Sequence, residues 1–119
     1  MKQVFVFGSN LAGRHGAGSA LEARRKWGAL YGQGEGMQGH SYAIPTKDKN
    51  LRILPLAHIK LSVERFVLFA SLHPEMTFNI VAIGCGLAGY KPEQISPFFA
   101  KISVNCHLPI QFRNSPVSL

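Results

Sequence analysis

The sequence lacks any hydrophobic run long enough to cross a membrane. No apolar stretch approaches the roughly 20 residues that a bilayer-spanning helix needs. The N-terminal stretch MKQVFVFGSN reaches glycine too early to form the apolar core of a signal peptide. We therefore expect no membrane partner and a cytoplasmic location.

Cysteine is scarce as well. The two cysteines, Cys85 and Cys106, form no CxxC pair and have no histidine at metal-ligand spacing. This pattern is typical of free thiols in a reducing compartment. We expect neither a disulfide nor a metal site, and nothing in the sequence indicates a cofactor.

Acidic residues are also few. Six Asp and Glu stand against 13 Lys and Arg, which gives a formal charge of +7. This charge favours an anionic partner, whether a nucleotide, a nucleic acid or another acidic surface. The apolar fraction of 46% and the charged fraction of 16% are those of a globular chain, and 119 residues predict a single domain over residues 1–119.

Apolar periodicity predicts strands that alternate with helices. The strands are predicted at 3–7, 40–46, 51–54, 78–86 and 107–112, and the helices at 17–27, around 63–70 and at 92–103. The run FNIVAIGCG at 78–86 is predicted to be a central strand that is buried on both faces. Alternation of this kind indicates an α/β domain with a largely parallel sheet.

Glycine is abundant and unevenly placed. All twelve glycines fall within residues 8–18, 28–39 and 84–89. The first and third clusters begin at the carboxyl ends of predicted strands, where open α/β sheets bind ligands. Because glycine lets backbone N–H groups approach a phosphate, we expect these two clusters to face each other across one crevice. The alternative is that they form tight turns needed only for packing.

Two common nucleotide motifs are absent. The pattern GxxxxGK[ST] does not occur, which disfavours ordinary ATP or GTP hydrolysis. The stretch GEGMQG at 34–39 satisfies GxGxxG, but it precedes a predicted strand instead of linking a strand to a helix. The stretch HGAGSAL lacks the third glycine of the dinucleotide fingerprint.

Three segments in order, SNLAGRHGAGSALEARRKWGA, GEGMQGHSYAIPTKD and NIVAIGCGLAGY, resemble the macrodomain pattern over roughly residues 4–103. The resemblance is nearest to the ADP-ribosyl glycohydrolase branch and to short macrodomain-like proteins of phages and bacteria. It implies a compact three-layer α/β/α domain with a mixed, largely parallel sheet, which binds ADP-ribose or a related nucleotide. If the chain is phage-encoded, the implied location is the host cytoplasm.

The resemblance also implies which residues form the ligand site. Residues 16–18 would contact the diphosphate and proximal ribose, residues 84–87 would form a second phosphate loop, and Asn10 would lie near the distal ribose. The full predicted set is Gly8, Ser9, Asn10, Gly13, His15, Gly16, Ala17, Gly18, Gly84, Cys85, Gly86, Leu87, Ala88, Gly89 and Tyr90.

Individual members of this set allow other interpretations. His15 is either a phosphate donor as the imidazolium or an exposed loop histidine. Cys85 has no obvious base to make it a nucleophile, so a small residue filling a tight loop is the competing interpretation. Tyr90 either stacks on a sugar or base or serves packing.

Catalysis is the open question. Lys47 matches a lysine that acts as an amine nucleophile in the glycohydrolase branch, with Asn10 beside the reacting sugar, but that branch has an acidic residue where this chain has Ala88. Asp48 would be a replacement acid, yet alternation along a strand directs Lys47 and Asp48 to opposite sides. The resemblance begins after the strand that carries the adenine-binding acid in the family, so it implies nothing about selectivity for adenine. We therefore expect binding with at most weak ADP-ribosyl hydrolase activity, and Lys47 alternatively belongs to a solvated turn.

Two other classes of function compete with nucleotide binding. The charge and the basic run Arg24, Arg25 and Lys26 suit a nucleic-acid-binding module, although aromatic residues do not interleave with the basic ones. A phage structural or interaction protein that keeps the fold without catalysis is the other. The basic run is alternatively a solvated helix face.

Overall fold

The chain alternates strands and helices in this computed structural model, which describes residues 2–113. The strands are β1 (Lys2–Asn10), β2 (Gly36–Gln38), β3 (Ser41–Lys47), β4 (Met76–Ile80) and β5 (Cys106–His107). The helices are α1 (Gly18–Lys26), α2 (Leu56–Ser71), α3 (Pro92–Ile95) and α4 (Ile110–Arg113), with a 3-10 turn at Ser96–Phe99.

The strands form one five-stranded sheet in the order β2-β3-β1-β4-β5. The central strand β1 pairs in parallel with β3 and β4, and β4 pairs in parallel with β5. The short β2 runs antiparallel to β3. The predicted α/β class with a mixed, largely parallel sheet is confirmed.

Side chains of β1 alternate between two buried layers, as the period of two in an extended strand requires. Val4 and Val6 lie in the larger core, which α2 and α3 cover. Phe7 lies on the other side of the sheet and packs with Ala20 and Ala23 of α1. Helices therefore cover both faces of the sheet, in three layers.

Helix α2 packs one of its faces into the larger core. Its buried positions include Ile59, Val63, Phe66 and Ala70, which recur at helical spacing. The helix ends at Ser71, before His73 and Pro74 as predicted, because the residue ahead of a proline avoids the helical region. It begins at Leu56, well before the predicted apolar pattern, directly after Pro55.

Two segments before α2 differ from the predictions. Residues 51–54 do not form a strand: the chain turns there and makes one isolated bridge between Lys47 and Ile53. The second glycine cluster, predicted to be a loop, contains β2. Both segments are short and bend sharply, so periodicity over a longer window could not resolve them.

Three predictions in the second half of the chain were wrong. The strand β4 lies inside the sheet between β1 and β5, but it ends at Ile80 and exposes Asn79, so it is shorter than predicted and not buried on both faces. The predicted helix 92–103 breaks into α3 and a 3-10 turn, because Pro97 has no N–H for a helical hydrogen bond. The predicted strand 107–112 is reduced to β5, and α4 follows it.

A candidate ligand cavity at the strand ends

An open cavity of about 860 Å³ lies beyond the carboxyl ends of β1, β3 and β4. These strands are neighbours in the sheet, so the segments that follow them meet at one edge. Four parts of the chain line the cavity. They are the first glycine cluster and the start of α1 (residues 8–10, 14 and 16–20), the end of β3 and the turn after it (Thr46, Lys47 and Leu51), the segment after β4 (residues 81–88), and two residues of the C-terminal helices (Pro92 and Gln111). The predicted crevice between the first and third glycine clusters is present.

The first glycine cluster, residues 8–18, is called the first glycine loop, and it exposes backbone without side chains to this cavity. A Cβ on Gly16 or Gly18 would meet no atom within 4 Å, so neither glycine is required by packing, although the φ of +58° at Gly18 favours glycine for its backbone. Helix α1 begins at Gly18, and its N-cap residue, Ala17, provides no side-chain cap. The N–H groups of the first helical turn therefore lack a side-chain partner at the cavity wall.

The second cavity loop, residues 84–89, is a series of tight turns. Gly84 has φ of +78° and its backbone carbonyl accepts a hydrogen bond from Tyr90 N at 2.9 Å. Gly86 is open, since a Cβ added to it would meet no atom within 4 Å. Like the first loop, this one combines a conformation that glycine adopts easily with free space on the cavity side.

The thiol of Cys85 in this loop has a raised pKa. Burial raises the pKa of the Cys85 thiol, and the Glu93 carboxylate raises it further. Its Sγ donates to the carbonyl oxygen of Ile83 at 3.6 Å. A thiol needs a lowered pKa to act as a nucleophile near neutral pH, so this environment favours the filling role over the catalytic one.

The glycine cluster at 28–39 packs against the first loop backbone to backbone and does not face the cavity. A Cβ on Gly34 would overlap the carbonyl groups of Asn10 and Leu11, and one on Gly13 would overlap the backbone of the 28–39 segment. The Ser9 hydroxyl donates to the Gly34 carbonyl oxygen, and Gly32 N donates to Gly13 O at 2.8 Å. We call residues 28–39 the brace. The GEGMQG stretch belongs to the brace and lies outside the cavity lining.

His15 belongs to the contact between loop and brace instead of the cavity. His15 is fully buried outside the cavity lining, and its ring forms a T-shaped contact with Phe7 at 5.3 Å between centroids. Its Nε2 donates to the carbonyl oxygen of Gln33 at 3.1 Å, and its Nδ1 has no partner within the described part of the chain. Neither sequence interpretation, a phosphate donor or an exposed loop histidine, describes this position.

Three further predicted residues also lie outside the cavity lining: Gly13, Gly89 and Tyr90. The Tyr90 hydroxyl donates to the carbonyl oxygen of Leu54 at 2.5 Å and so ties the second loop to the segment before α2. This is the packing role that was the alternative for Tyr90. The other predicted residues line the cavity: Gly8, Ser9, Asn10, Gly16, Ala17, Gly18, Lys47, Gly84, Cys85, Gly86, Leu87 and Ala88.

Asn10 closes the first loop on itself. Its Nδ2 donates to the carbonyl oxygen of Arg14, and its Oδ1 accepts from the N–H of Arg14, both at 2.9 Å. The residue is buried, and it forms part of the cavity wall. The side chain thus holds the backbone of the loop in shape, a role that residue type alone does not reveal.

Asn10 and Lys47 are neighbours across β1 and β3, at the end of the paired register. Lys47 lines the cavity, whereas Asp48 does not. The Asp48 carboxylate accepts from the N–H groups of Asn50 and Arg52 at 2.8 and 2.9 Å and so organises a turn. The expectation that Lys47 and Asp48 do not both enter the pocket is confirmed.

The charge of the cavity is of one sign. Arg14 and Lys47 line it, and none of the six Asp and Glu residues, all of which lie within residues 2–113, does. A cavity with this lining attracts anions and offers no Asp or Glu side chain as a general acid or base. Arg14 stands within the first glycine loop, but no sequence motif marks it as a site residue.

Leu51 at the rim has an unusual backbone. Its φ is +62°, and it is the one non-glycine residue with positive φ within residues 2–113. A side chain with a Cβ costs about 1–2 kcal/mol in this left-handed region. Leu51 is 46% exposed and belongs to neither core cluster, so burial in the core does not offset that cost. No pattern in the sequence indicates this conformation.

Comparisons with protein-family models, with curated proteins and with solved structures find no match. Within the described part of the chain, no helix is long and apolar enough to cross a membrane. Among the same residues, no three His, Cys, Asp or Glu side chains cluster as metal ligands would. Both cysteines are free thiols.

Proposed function

We propose that this protein binds ADP-ribose or a related nucleotide through its phosphates, in the cavity between the loops at 8–18 and 84–89. One observation carries the proposal. Gly16, Gly18 and Gly86 stand open beside a cavity that two cationic side chains line and no Asp or Glu side chain enters. Open glycines and an uncapped helix start are features that favour phosphate.

The size of the cavity supports a ligand larger than a free phosphate. Its volume of about 860 Å³ lies in the range of small-molecule sites. The loop next to α1 and the loop after β4 follow adjacent strands, so one diphosphate can contact both. The macrodomain resemblance agrees with this placement.

The same lining favours binding over hydrolysis. Lys47 reaches the cavity, but Ala88 stands where the glycohydrolase branch has an acid, and Asp48 is engaged by its own turn. A sugar adduct on Lys47 would therefore lack the carboxylate that resolves it. We propose a nucleotide-binding protein with little or no turnover, acting in the cytoplasm.

Calorimetry with ADP-ribose tests the proposal. Gly16→Glu places a carboxylate in open space without backbone strain, so it is expected to weaken binding at least about tenfold by repulsion of phosphate. Gly16→Gln is the matched neutral control, and Ala57→Glu places the same charge on an exposed position of α2. Equal affinity of Gly16→Glu and Gly16→Gln would remove this loop from the phosphate site.

A mass-spectrometric assay tests the absence of turnover. ADP-ribosylated carboxylate, arginine and thymidine substrates are expected to release little or no ADP-ribose. Release that Lys47→Ala abolishes would make the protein a hydrolase. Release that persists in Lys47→Ala would indicate attack by water, with Asn10 the first residue to substitute.

Nucleic-acid binding is the second candidate, and one contact favours it. The guanidinium of Arg24 lies 5.3 Å from the ring centroid of Tyr31, whose side chain is largely exposed, beside Arg25 and Lys26. This pairing of a basic and an aromatic residue was not visible in the order of the sequence. If this surface binds nucleic acid, changing Arg24, Arg25 and Lys26 to Gln lowers the affinity for DNA or RNA and makes that affinity depend less steeply on salt. Nucleotide affinity should stay within about threefold.

A further inference from the structure

The cavity has an apolar rim formed by Leu51 and Leu87. Leu51 follows the end of β3 and Leu87 follows the end of β4, and these strands lie on either side of β1. Both leucines line the cavity and both are exposed, at 46% and 75%. We infer that this rim holds the base of the bound nucleotide by apolar contact, an inference that rests on the proposed function.

The strained backbone of Leu51 indicates that its side chain has a functional role. At φ of +62°, asparagine or glycine fits with less strain than leucine, and the turn already carries Asn50 one position earlier. The exposed leucine gains no core packing in return. Contact with a ligand in the cavity accounts for a leucine at this place.

The polar side chains of the lining are largely occupied by the protein itself. Ser9 donates to Gly34, Asn10 exchanges two hydrogen bonds with Arg14, and Thr46 donates to the carbonyl oxygen of Ser9 at 3.3 Å. Selection of a ligand then depends mainly on backbone N–H groups and cations, which recognise phosphate. The base is therefore selected by its flat apolar surface and its size, and not by a hydrogen-bonding pattern.

Base tolerance follows from this division. ADP and GDP should bind with affinities within about threefold of each other, and UDP should bind more weakly because its ring offers less apolar area. Inorganic pyrophosphate, which has no base, should be insensitive to any change at the rim.

The test uses Leu51→Asn and Leu87→Asn in the whole chain, titrated with ADP, GDP, UDP and pyrophosphate. Each substitution is expected to weaken the purine nucleotides about tenfold, since an exposed leucine loses its contact with the base, and to leave pyrophosphate within about twofold. Leu72→Asn is the matched control, because Leu72 is 67% exposed and lies outside the cavity. A thermal melt of Leu51→Asn checks folding, and relief of the left-handed strain should raise the midpoint by a few degrees.

The outcomes separate the two proposals. If both rim variants bind nucleotides as tightly as the parent does, and pyrophosphate also binds, the proposed base contact at the rim is wrong. The proposed phosphate site is then still supported. A preference for one purine above tenfold that survives both variants would also overturn the proposed base contact. If the parent binds neither nucleotides nor pyrophosphate, the proposed function fails and the rim fails with it.

Discussion

The first glycine loop and the brace are both rich in glycine, and individual glycines in them have opposite surroundings. In the loop at 8–18, Gly16 and Gly18 face free space. In the brace at 28–39, Gly34 and Gly39 lie so close to neighbouring backbone that a Cβ would overlap it. Composition cannot distinguish a glycine that leaves room for a ligand from a glycine that lets two backbone segments of the same chain touch. Only the surroundings of the missing side chain tell them apart.

The largest expected effect is on folding and breaks the brace. Gly34→Ala places a methyl group against the carbonyls of Asn10 and Leu11, and should lower the free energy of unfolding by about 3 kcal/mol or more. Gly16→Ala, with open space around it, should change stability by less than about 0.5 kcal/mol. Urea denaturation measures both. Similar losses in the two variants would contradict the division between ligand glycines and packing glycines.

Alkaline pH tests the region beside the brace. Burial, with a smaller contribution from Glu35 of the brace, raises the pKa of Tyr42 to about 12. The unfolded chain loses this proton near pH 10 and the folded chain near pH 12, so the stabilising contribution is complete below pH 10 and is lost between pH 10 and 12. The loss is about 2–3 kcal/mol at most. Tyr42→Phe should show a shallower decline over this window in denaturation at stepped pH, and an identical decline would show that Tyr42 does not carry it.

The second cavity loop allows a matching test of the open glycines. Gly86→Glu should weaken ADP-ribose binding about tenfold through charge repulsion, with the melting temperature unchanged, since nothing lies within 4 Å of the new Cβ. Gly86→Gln separates charge from bulk. Calorimetry that finds the Glu and Gln variants equal would place the phosphates against the first loop alone.

The smallest expected effect concerns the reactivity of Cys85. Because burial and Glu93 raise the pKa of its thiol, alkylation by iodoacetamide at about pH 8 should be slower than that of an unperturbed cysteine and should accelerate as the pH rises. Glu93→Gln removes the weaker of the two causes and should increase the rate about twofold at that pH. Peptide mapping follows Cys85, with the more buried Cys106 as internal reference. If Cys85 is alkylated faster than an unperturbed cysteine, its environment favours the thiolate and the prediction is wrong.

Much of the site was predictable because it depends on local chain order. The apolar run VFVF and the glycines after it predict a strand, a loop and a helix start, and these lie within a few residues of where the structure has them. Parallel strands then bring the 84–89 loop to the same edge. The separation of Lys47 from Asp48 follows from the same period of two.

The misplaced residues depend either on contacts between distant segments or on local backbone effects that apolar spacing does not report. His15 is buried because the brace, 18 residues further along at Gln33, folds over it, and no local pattern reports that contact. Leu51 reaches the rim through a left-handed backbone that leucine rarely adopts. Pro97 is visible in the sequence, but the apolar spacing of 92–103 still favours a continuous helix, and the break there depends on the missing N–H alone.

The double hydrogen bond between Asn10 and Arg14, together with the brace, has a kinetic consequence. A loop that is already fixed in its binding shape needs no ordering step when a ligand arrives, so little conformational entropy is lost on association. The rate of association should then be governed by diffusion and by the attraction of Arg14 and Lys47 for an anion, and it should fall as salt screens that attraction. Stopped-flow traces of nucleotide binding should show a single phase that is linear in ligand concentration, and releasing the loop with Asn10→Ala should introduce a plateau.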